Sequence, residues 1–297
     1  MDLSKKVNQV LTLLILGFIW GSSFILMKKG LNSYPPIEIT LYRIFIVFIV
    51  FLPLGIKDFF KIQKKTGIVL LISAIIGSVI PYFLFIKAQT KIDSSLNGIL
   101  NSITPLFTLI LGVLIFKNKT NLKAVLGVFL GLMGACGLIF LSKGDSEWTG
   151  TFLYAIFPVI GSGCYALNIN LIKNFLKEIP ALKITSWSFI LIGPVAGFIL
   201  FFNTNFTHNL IYNDENYINF LYINILGILG SGVAFWIFNL LIKETSSVFA
   251  STVTFLIPII AILWGVIDGE TFSPHQTMLC LVIFTGIYLI KSKPSTN

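Results

Sequence analysis

The sequence predicts an all-α integral membrane protein in which ten transmembrane helices form two inverted five-helix repeats. Three observations favour this fold class. Of the 297 residues, 56% are hydrophobic and 11% are charged, whereas soluble domains carry about 25% charged residues. Most of the chain consists of apolar stretches of about 20 residues, the length that crosses ~30 Å of hydrocarbon as a helix. A pattern in the first half also recurs in the second.

Ten apolar spans follow one another with short polar connections. We place them at 8–28, 36–56, 67–87, 94–116, 121–141, 150–172, 181–202, 217–242, 247–267 and 274–291. Lys5 and Lys6 precede the first span, as they would precede a signal peptide. Its apolar run is longer than a secretory core and no small-residue cleavage pattern follows, so we expect a retained helix. Pro36 and Pro180 open spans two and seven, where the first turn of a helix accommodates proline.

The two halves share residues at a constant displacement of 153 positions. In the first half these residues are Gly77, Ser78, Tyr82, Pro105 and Gly112, and their counterparts are Gly230, Ser231, Phe235, Pro258 and Gly265. Each set occupies the same place in a series of five spans. Because five is odd, the second series must cross the membrane in the opposite orientation. We predict one repeat over residues 1–146 and an inverted one over 147–297, which is typical of carriers that open alternately to two sides.

The basic residues indicate the orientation of the chain. With the amino terminus in the cytoplasm, 15 lysines lie in inner loops and tails and 5 lie outside. The positive-inside rule therefore predicts that both termini are cytoplasmic. The net charge of +9 does not indicate a nucleic-acid partner, because the lysines lie in short loops. All three cysteines, Cys136, Cys164 and Cys280, fall inside spans without metal-binding spacing, and we expect neither a metal nor a cofactor.

Five spans carry polar or aromatic residues at helical spacing, so that each set shares one helix face. These stripes comprise Asn97, Asn101, Thr104 and Thr108; Ser78, Tyr82, Phe85 and Gln89; Ser247, Ser251, Thr254 and Pro258; Gly161, Tyr165 and Asn168; and Phe235, Trp236 and Asn239. Polar groups facing lipid are costly, so these faces should point inward. Hydrogen bonding between helices would explain any one stripe, whereas five together favour a shared polar cavity.

The residues that we predict to bind a substrate come from these faces and from the first two spans. They are Trp20, Ser23, Arg43, Ser78, Tyr82, Asn97, Asn101, Tyr165, Asn168, Trp236, Asn239 and Thr254. Arg43 lies roughly 10 Å from the outer end of its span, where an arginine costs at least ~2.5 kcal/mol. Its planar fork suits a carboxylate or phosphate on a substrate. Alternatively, it pairs with backbone carbonyls or Glu38, or extends to the outer surface.

Span five carries glycines at a spacing that lets helix backbones approach closely. These are Gly127, Gly131, Gly134 and Gly137. Packing inside one bundle and a dimer interface both account for them, and we expect the former. We therefore expect a monomer and leave a homodimer open.

The order of several motifs resembles that of the ten-helix drug/metabolite transporter superfamily, in the branch with paired EamA domains. The motifs are Trp20-Gly21-Ser22-Ser23-Phe24, Pro36 with Arg43, Thr104-Pro105, and Pro258 followed by Gly265 and Gly269-Glu270. The resemblance covers nearly the whole chain. It implies two inverted five-helix units, a substrate path lined mainly by the first four helices of each unit, and movement of small metabolites without ATP hydrolysis.

The chain departs from the family pattern in its acidic residues. Lys117 stands where an acid equivalent to Glu270 is expected. The small four-helix relatives couple protons through a glutamate deep in their first helix, and this chain has no acidic residue near the middle of any span. Exchange or uniport is therefore favoured over proton coupling through an embedded carboxylate.

We therefore expect a secondary transporter that moves a small amphipathic solute with an anionic group, such as an amino acid or derivative, across the cytoplasmic membrane by alternating access. A lipid or lipid-precursor flippase of the same fold is the alternative. An intramembrane enzyme is disfavoured, because Gly161-Ser162-Gly163 suggests a serine protease but no histidine lies deep in a span. A channel would need rings of like residues around a continuous pore.

Overall fold

The computed structural model describes residues 3, 5–117, 122–141, 148–211, 216–271 and 274–291. In this part of the chain every regular element is a helix, and no strand occurs. The long helices, numbered along the chain, are α1 Lys6–Gly30, α2 Pro36–Phe59, α3 Lys64–Ala88, α4 Ser94–Leu114, α5 Leu122–Leu141, α6 Trp148–Phe175, α7 Ala181–Asn203, α8 Tyr217–Glu244, α9 Ser247–Ile267 and α10 Pro274–Lys291. A short helix, Phe206–Ile211, lies between α7 and α8.

Eight of the described helices, α1–α4 and α6–α9, are long and apolar enough to cross a membrane. Large apolar side chains cover their outer faces; on α7, for example, Phe202 is 76% exposed, Phe198 61% and Val195 60%. An apolar surface of this kind is costly in water and is typical of contact with lipid. The expectation of an all-helical chain with membrane-crossing spans is confirmed for the described residues.

Two helices widen into π-helical turns in the membrane. The turn in α3 spans Ile75–Val79, and the turn in α8 spans Leu226–Val233. Both contain the Gly-Ser pairs that the sequence repeat relates, Gly77-Ser78 and Gly230-Ser231. The repeated sequence thus produces the same irregularity in each half of the chain.

Two other helices are interrupted at matching prolines. The first segment of α4 ends at Asn101, and the second begins at Thr104, directly before Pro105. In α9 a 3₁₀ turn, Thr252–Phe255, leads to the final segment, whose first turn holds Pro258. Proline lacks the backbone N–H, so the first turn of a new segment accommodates it without loss of a hydrogen bond.

The last helices of the two halves, α5 and α10, pack against each other. A methyl group added to Gly286 would lie 2.5 Å from the carbonyl oxygen of Gly127, and one added to Gly134 would lie 2.6 Å from Ile283. The two backbones therefore approach as closely as glycine allows. The prediction that the glycines of span five serve packing within one bundle is confirmed.

Candidate functional site

A cavity of about 70 Å³ lies where α1, α2, α3, α4, α6, α8 and α9 meet. Since one water needs roughly 10–15 Å³ on the same measure, the cavity has room for several waters or a small organic molecule. Both halves of the chain contribute to its wall, and the described residues of α5, α7 and α10 contribute none. Each inward-facing stripe of the sequence therefore contributes at least one residue to the same cavity.

Eight of the twelve predicted binding residues line this cavity. They are Trp20, Ser23, Arg43, Tyr82, Asn101, Tyr165, Asn168 and Thr254. The first and the last of them, Trp20 and Thr254, are more than 230 residues apart in the sequence. The fold therefore brings together side chains that are distant along the chain.

The other four predicted residues, Ser78, Asn97, Trp236 and Asn239, are not among the lining residues. Asn97 donates through Nδ2 to the carbonyl of Phe85 at 2.8 Å, and Asn239 donates to the hydroxyl of Thr185 at 3.0 Å. These two amides therefore join helices, as the alternative interpretation of the stripes proposed. Trp236 packs half-buried against the apolar core, and the π-turn of α3 presents Gly77 rather than Ser78 to the cavity.

The cavity also has lining residues that were not selected from the sequence. They are Phe24, Met27, Gly77, Phe85, Thr104, Ile169, Phe235 and Phe238. Phe85, Thr104 and Phe235 belong to the stripes, so spacing alone could have identified them. The other apolar lining residues have the same sequence pattern as core or lipid-facing residues of an apolar helix. No feature of the sequence distinguishes them as cavity residues.

Arg43 supplies the positive charge of the cavity and is only 5% exposed. Its Nε donates to the hydroxyl of Ser231 at 2.9 Å, and its Nη1 lies 3.7 Å from the sulfur of Met27. The guanidinium carbon lies 3.8 Å from the centre of the Tyr82 ring, a cation–π contact. Nη2 has no hydrogen-bond partner among the described residues. Part of the fork is thus available to a bound anion.

No carboxylate in the described part of the chain pairs with Arg43. Glu38, which the sequence offered as a partner, instead accepts a hydrogen bond from Asn209 at 3.2 Å. The described lining of the cavity contains no acidic residue at all. The guanidinium therefore gives the cavity a positive potential that nothing in its wall neutralises.

Two asparagines direct amide groups toward the same space. Oδ1 of Asn168 accepts from Ser73 at 2.6 Å, and Oδ1 of Asn101 accepts weakly from Thr104 and Ser162 at 3.3 and 3.4 Å. Neither Nδ2 has an acceptor within the described chain. Both amides can therefore donate to a bound oxygen.

Aromatic rings form the apolar wall. The rings of Phe85 and Tyr165 stack with centroids 5.7 Å apart, and Phe24 meets Phe85 edge-on at 5.9 Å. On the other side, Trp20 meets Phe238 edge-on at 4.9 Å. These rings hold one another in place, so the cavity offers a firm apolar surface beside its single charge.

A polar cluster closes the bundle just beyond Met27. We call Lys28, Lys29, Ser94, Ser95, Asp268 and Glu270 the Glu270 cluster. Glu270 accepts from the backbone N–H of Ser94 and Ser95 at 3.0 and 3.1 Å, from both hydroxyls, and from Lys28 at 2.9 Å. Burial raises the pKa of Glu270, but these hydrogen bonds outweigh it and hold the pKa to about 2. The carboxylate thus stays charged at neutral pH and ties α1, α4 and α9 together.

Helices long and apolar enough to cross a membrane surround a cavity that holds a buried arginine, so the chain is a polytopic membrane protein with an internal cavity. The sequence profile of the EamA-like transporter family matches residues 8–140 and 152–292. The chain belongs to the EamA-like transporter family, as its motifs predicted.

Individual relatives agree with this assignment. An uncharacterized inner membrane transporter of Escherichia coli K12, YedA, is 25% identical over 95% of this chain and 92% of its own length. A probable amino-acid metabolite efflux pump of Salmonella typhimurium is 23% identical over 93% of this chain and 92% of that protein. A solved crystal structure with 12% identity superposes with a TM-score of 0.66 over 97% of both chains, which supports the fold alone. The chain is a membrane transporter.

Proposed function

We propose that this protein is a secondary carrier that moves a small organic carboxylate, such as an amino acid or derivative, across the cytoplasmic membrane by alternating access. The observation that carries the proposal is Arg43, which is buried in the cavity wall without a carboxylate partner in the described chain. A cation inside the membrane costs at least ~2.5 kcal/mol unless it is partnered. A bound anion would supply the missing partner.

The lining suggests the chemistry of the cargo. The free edge of the guanidinium and the amides of Asn101 and Asn168 suit the oxygens of one carboxylate. The rings of Phe85 and Phe238 suit an apolar body. Because the described lining contains no acid, an ammonium group would meet only ring faces and neutral oxygens. A single negative charge is therefore the required feature, and the name of the Salmonella relative supports an amino-acid type of cargo.

The proposed architecture is two inverted five-helix repeats, over 1–146 and 147–297, with both termini in the cytoplasm. The paired π-turns and the paired proline interruptions support a common structure for the two halves. In this orientation the Glu270 cluster lies on the outer side. The lack of acidic residues in the described cavity wall supports exchange or uniport rather than proton coupling through a cavity carboxylate.

Transport assays in proteoliposomes test the proposal. A thermal-shift screen of amino acids, N-acetylated amino acids and simple monocarboxylates would first identify a ligand that raises the melting temperature. Arg43→Gln should then reduce its uptake at least about tenfold, and Arg43→Lys should retain part of the activity because it keeps the charge but not the fork.

Ser188→Ala provides a matched control. Ser188 is buried, its hydroxyl has no hydrogen-bond partner among the described residues, and it does not line the cavity. Uptake by Arg43→Gln equal to that of Ser188→Ala would refute the proposal. Movement of a fluorescent phospholipid without competition from soluble carboxylates would instead indicate a lipid flippase.

A further inference from the structure

The two π-turns hold side chains of the cavity, and each turn holds residues from the opposite half of the chain. π-Turns are uncommon and occur frequently at functional sites, because the wider turn shifts side chains and frees carbonyl groups from the helical ladder. The turns Ile75–Val79 and Leu226–Val233 occupy equivalent places in the sequence repeat. Their contacts nevertheless differ.

The turn of α8 fixes Arg43 and Trp20, both from the first half. Ser231 accepts from Nε of Arg43 at 2.9 Å and lies within hydrogen-bond distance of the carbonyl of Leu226, five residues earlier, at 3.2 Å. A serine hydroxyl can donate only one hydrogen bond, and Ser231 donates it to the carbonyl oxygen of Leu226. The lone pairs of the Ser231 oxygen are therefore available to accept from the guanidinium. The neighbouring carbonyl of Gly230 accepts from the indole of Trp20 at 2.9 Å.

Asn168, from the second half, is held by the π-turn of α3 together with Ser73, two residues before the turn. Ser73 donates to its Oδ1 at 2.6 Å, and Gly77 lies so close that an added methyl group would be 2.3 Å from its Nδ2. The hydroxyl of Ser78, the counterpart of Ser231, makes no side-chain hydrogen bond within the described chain. The turn of α8 thus orients a cation and an indole, whereas the turn of α3, with the neighbouring Ser73, orients a neutral amide.

We propose that Ser231 is the positioning residue for Arg43, and that the π-turn of α8 sets the direction of the guanidinium across the boundary between the halves. With Nε held by Ser231, the planar fork turns its Nη edge toward the cavity. Without that hydrogen bond, the guanidinium keeps a cation–π contact with Tyr82 and a contact with the sulfur of Met27 in the described chain, and neither fixes rotation of the fork in its plane. An effect of Ser231 on substrate binding rests on the proposed role of Arg43. The geometric statement, that Ser231 sets the orientation of the guanidinium, does not.

Chemical modification tests the geometric statement without a known substrate. Arg43 is the sole arginine of the chain, so phenylglyoxal adducts found by mass spectrometry report on this residue alone. Ser231→Ala should increase the modification rate at least about threefold, because the freed side chain samples more orientations. Ser231→Thr, which keeps an acceptor oxygen, should restore the slow rate. A rate in Ser231→Ala equal to that of the unaltered protein would overturn the proposal.

Gly77→Ala is the matched control on the other turn. The three atoms nearest to the added methyl group all belong to the flexible side chain of Asn168, and none belongs to Arg43 or Ser231. Its Arg43 modification rate should equal that of the unaltered protein. An increase equal to that of Ser231→Ala would show that general loosening of the bundle, rather than Ser231, controls Arg43, and would also overturn the proposal.

Transport kinetics test the consequence for binding. For the carboxylate identified by the thermal-shift screen, Ser231→Ala should raise KM about tenfold and change the maximal rate less than about twofold. Preference for the carboxylate over its amide should fall by the same factor. Faster modification with unchanged KM would leave Ser231 as the positioning residue while refuting Arg43 as the carboxylate ligand, so the two failures are distinguishable.

Discussion

The two ends of the bundle are held by charges of opposite sign. At the Glu270 cluster, a carboxylate lies on the N-terminus of α4 and accepts from its first backbone N–H groups. At the other end, the ammonium of Lys173 donates to the carbonyls of Ile242, Lys243 and Thr245 at 3.1, 2.9 and 2.5 Å, at the C-terminus of α8. Each charge matches the dipole of the helix end that it contacts.

The two contacts differ in their dependence on pH. The carboxylate end depends on an ionised acid and on lysines from α1. The ammonium end depends on one lysine and neutral backbone oxygens. Both ends join helices that line the cavity, so both must yield if access alternates. The Glu270 end should be the stronger and the more sensitive to pH.

Removing the carboxylate should have the largest effect. Glu270→Ala leaves the buried N–H groups of Ser94 and Ser95 without an acceptor, and we expect a loss of about 3 kcal/mol or more in the free energy of unfolding. Denaturant titration in detergent would measure it. Glu178→Gln, at an exposed acid, is the control, and equal stability of the two variants would contradict the ranking of the two ends.

Removing the ammonium should have a smaller effect. Lys173→Met keeps much of the side-chain volume but leaves three carbonyls without this donor, and we expect a loss of about 1–3 kcal/mol. The same titration applies, with the exposed Lys177→Met as control. A loss larger than that of Glu270→Ala would reverse the comparison.

Of the Glu270 and Lys173 contacts, mild acid should weaken only that of Glu270. The pKa of Glu270 is lowered from 4.5 to about 2 in the folded protein, so its contribution is complete above the unfolded pKa and is lost as the pH falls toward 2. Relative to Glu270→Ala, the unaltered protein should lose about 1 kcal/mol of its advantage between pH 6 and pH 4.

The difference between Lys173→Met and the unaltered protein should stay constant over the same range. Asp268, whose pKa is lowered by hydrogen bonds from Lys28 and Lys29, remains in all three proteins and largely cancels in the differences. A constant advantage over Glu270→Ala between pH 6 and pH 4 would argue against the role assigned to this carboxylate.

The sequence predicted those features that follow from regular periodicity. Spacing placed Asn101, Tyr165 and Asn168 on inward faces, and the cost of a charge in hydrocarbon singled out Arg43. Spacing failed where the helix is not regular. In α3 the π-turn brings Gly77 to the cavity in place of Ser78, and no propensity scale indicates such a turn.

Other features depended on contacts between distant segments. Asn97 and Asn239 carry the same signal as Asn101, and only the position of Phe85 and Thr185 shows that they join helices. Glu270 was recognised only through a motif. Its role arises because the turn after α9 places the carboxylate against Ser94, which is 176 residues away in the chain.

The charge of Arg43, which no carboxylate of the described chain neutralises, has an electrical consequence. An empty cavity keeps one positive charge through each change of access, whereas a cavity holding a monoanion keeps none. One charge crossing the whole membrane field is worth about 2.3 kcal/mol per 100 mV, so voltage should act on the return of the unloaded carrier alone. Net efflux of a monoanion such as an N-acetylated amino acid should therefore vary with an imposed potassium diffusion potential, and its one-for-one counterflow should not. Voltage-independent net efflux would show that the charge of Arg43 does not sense the field.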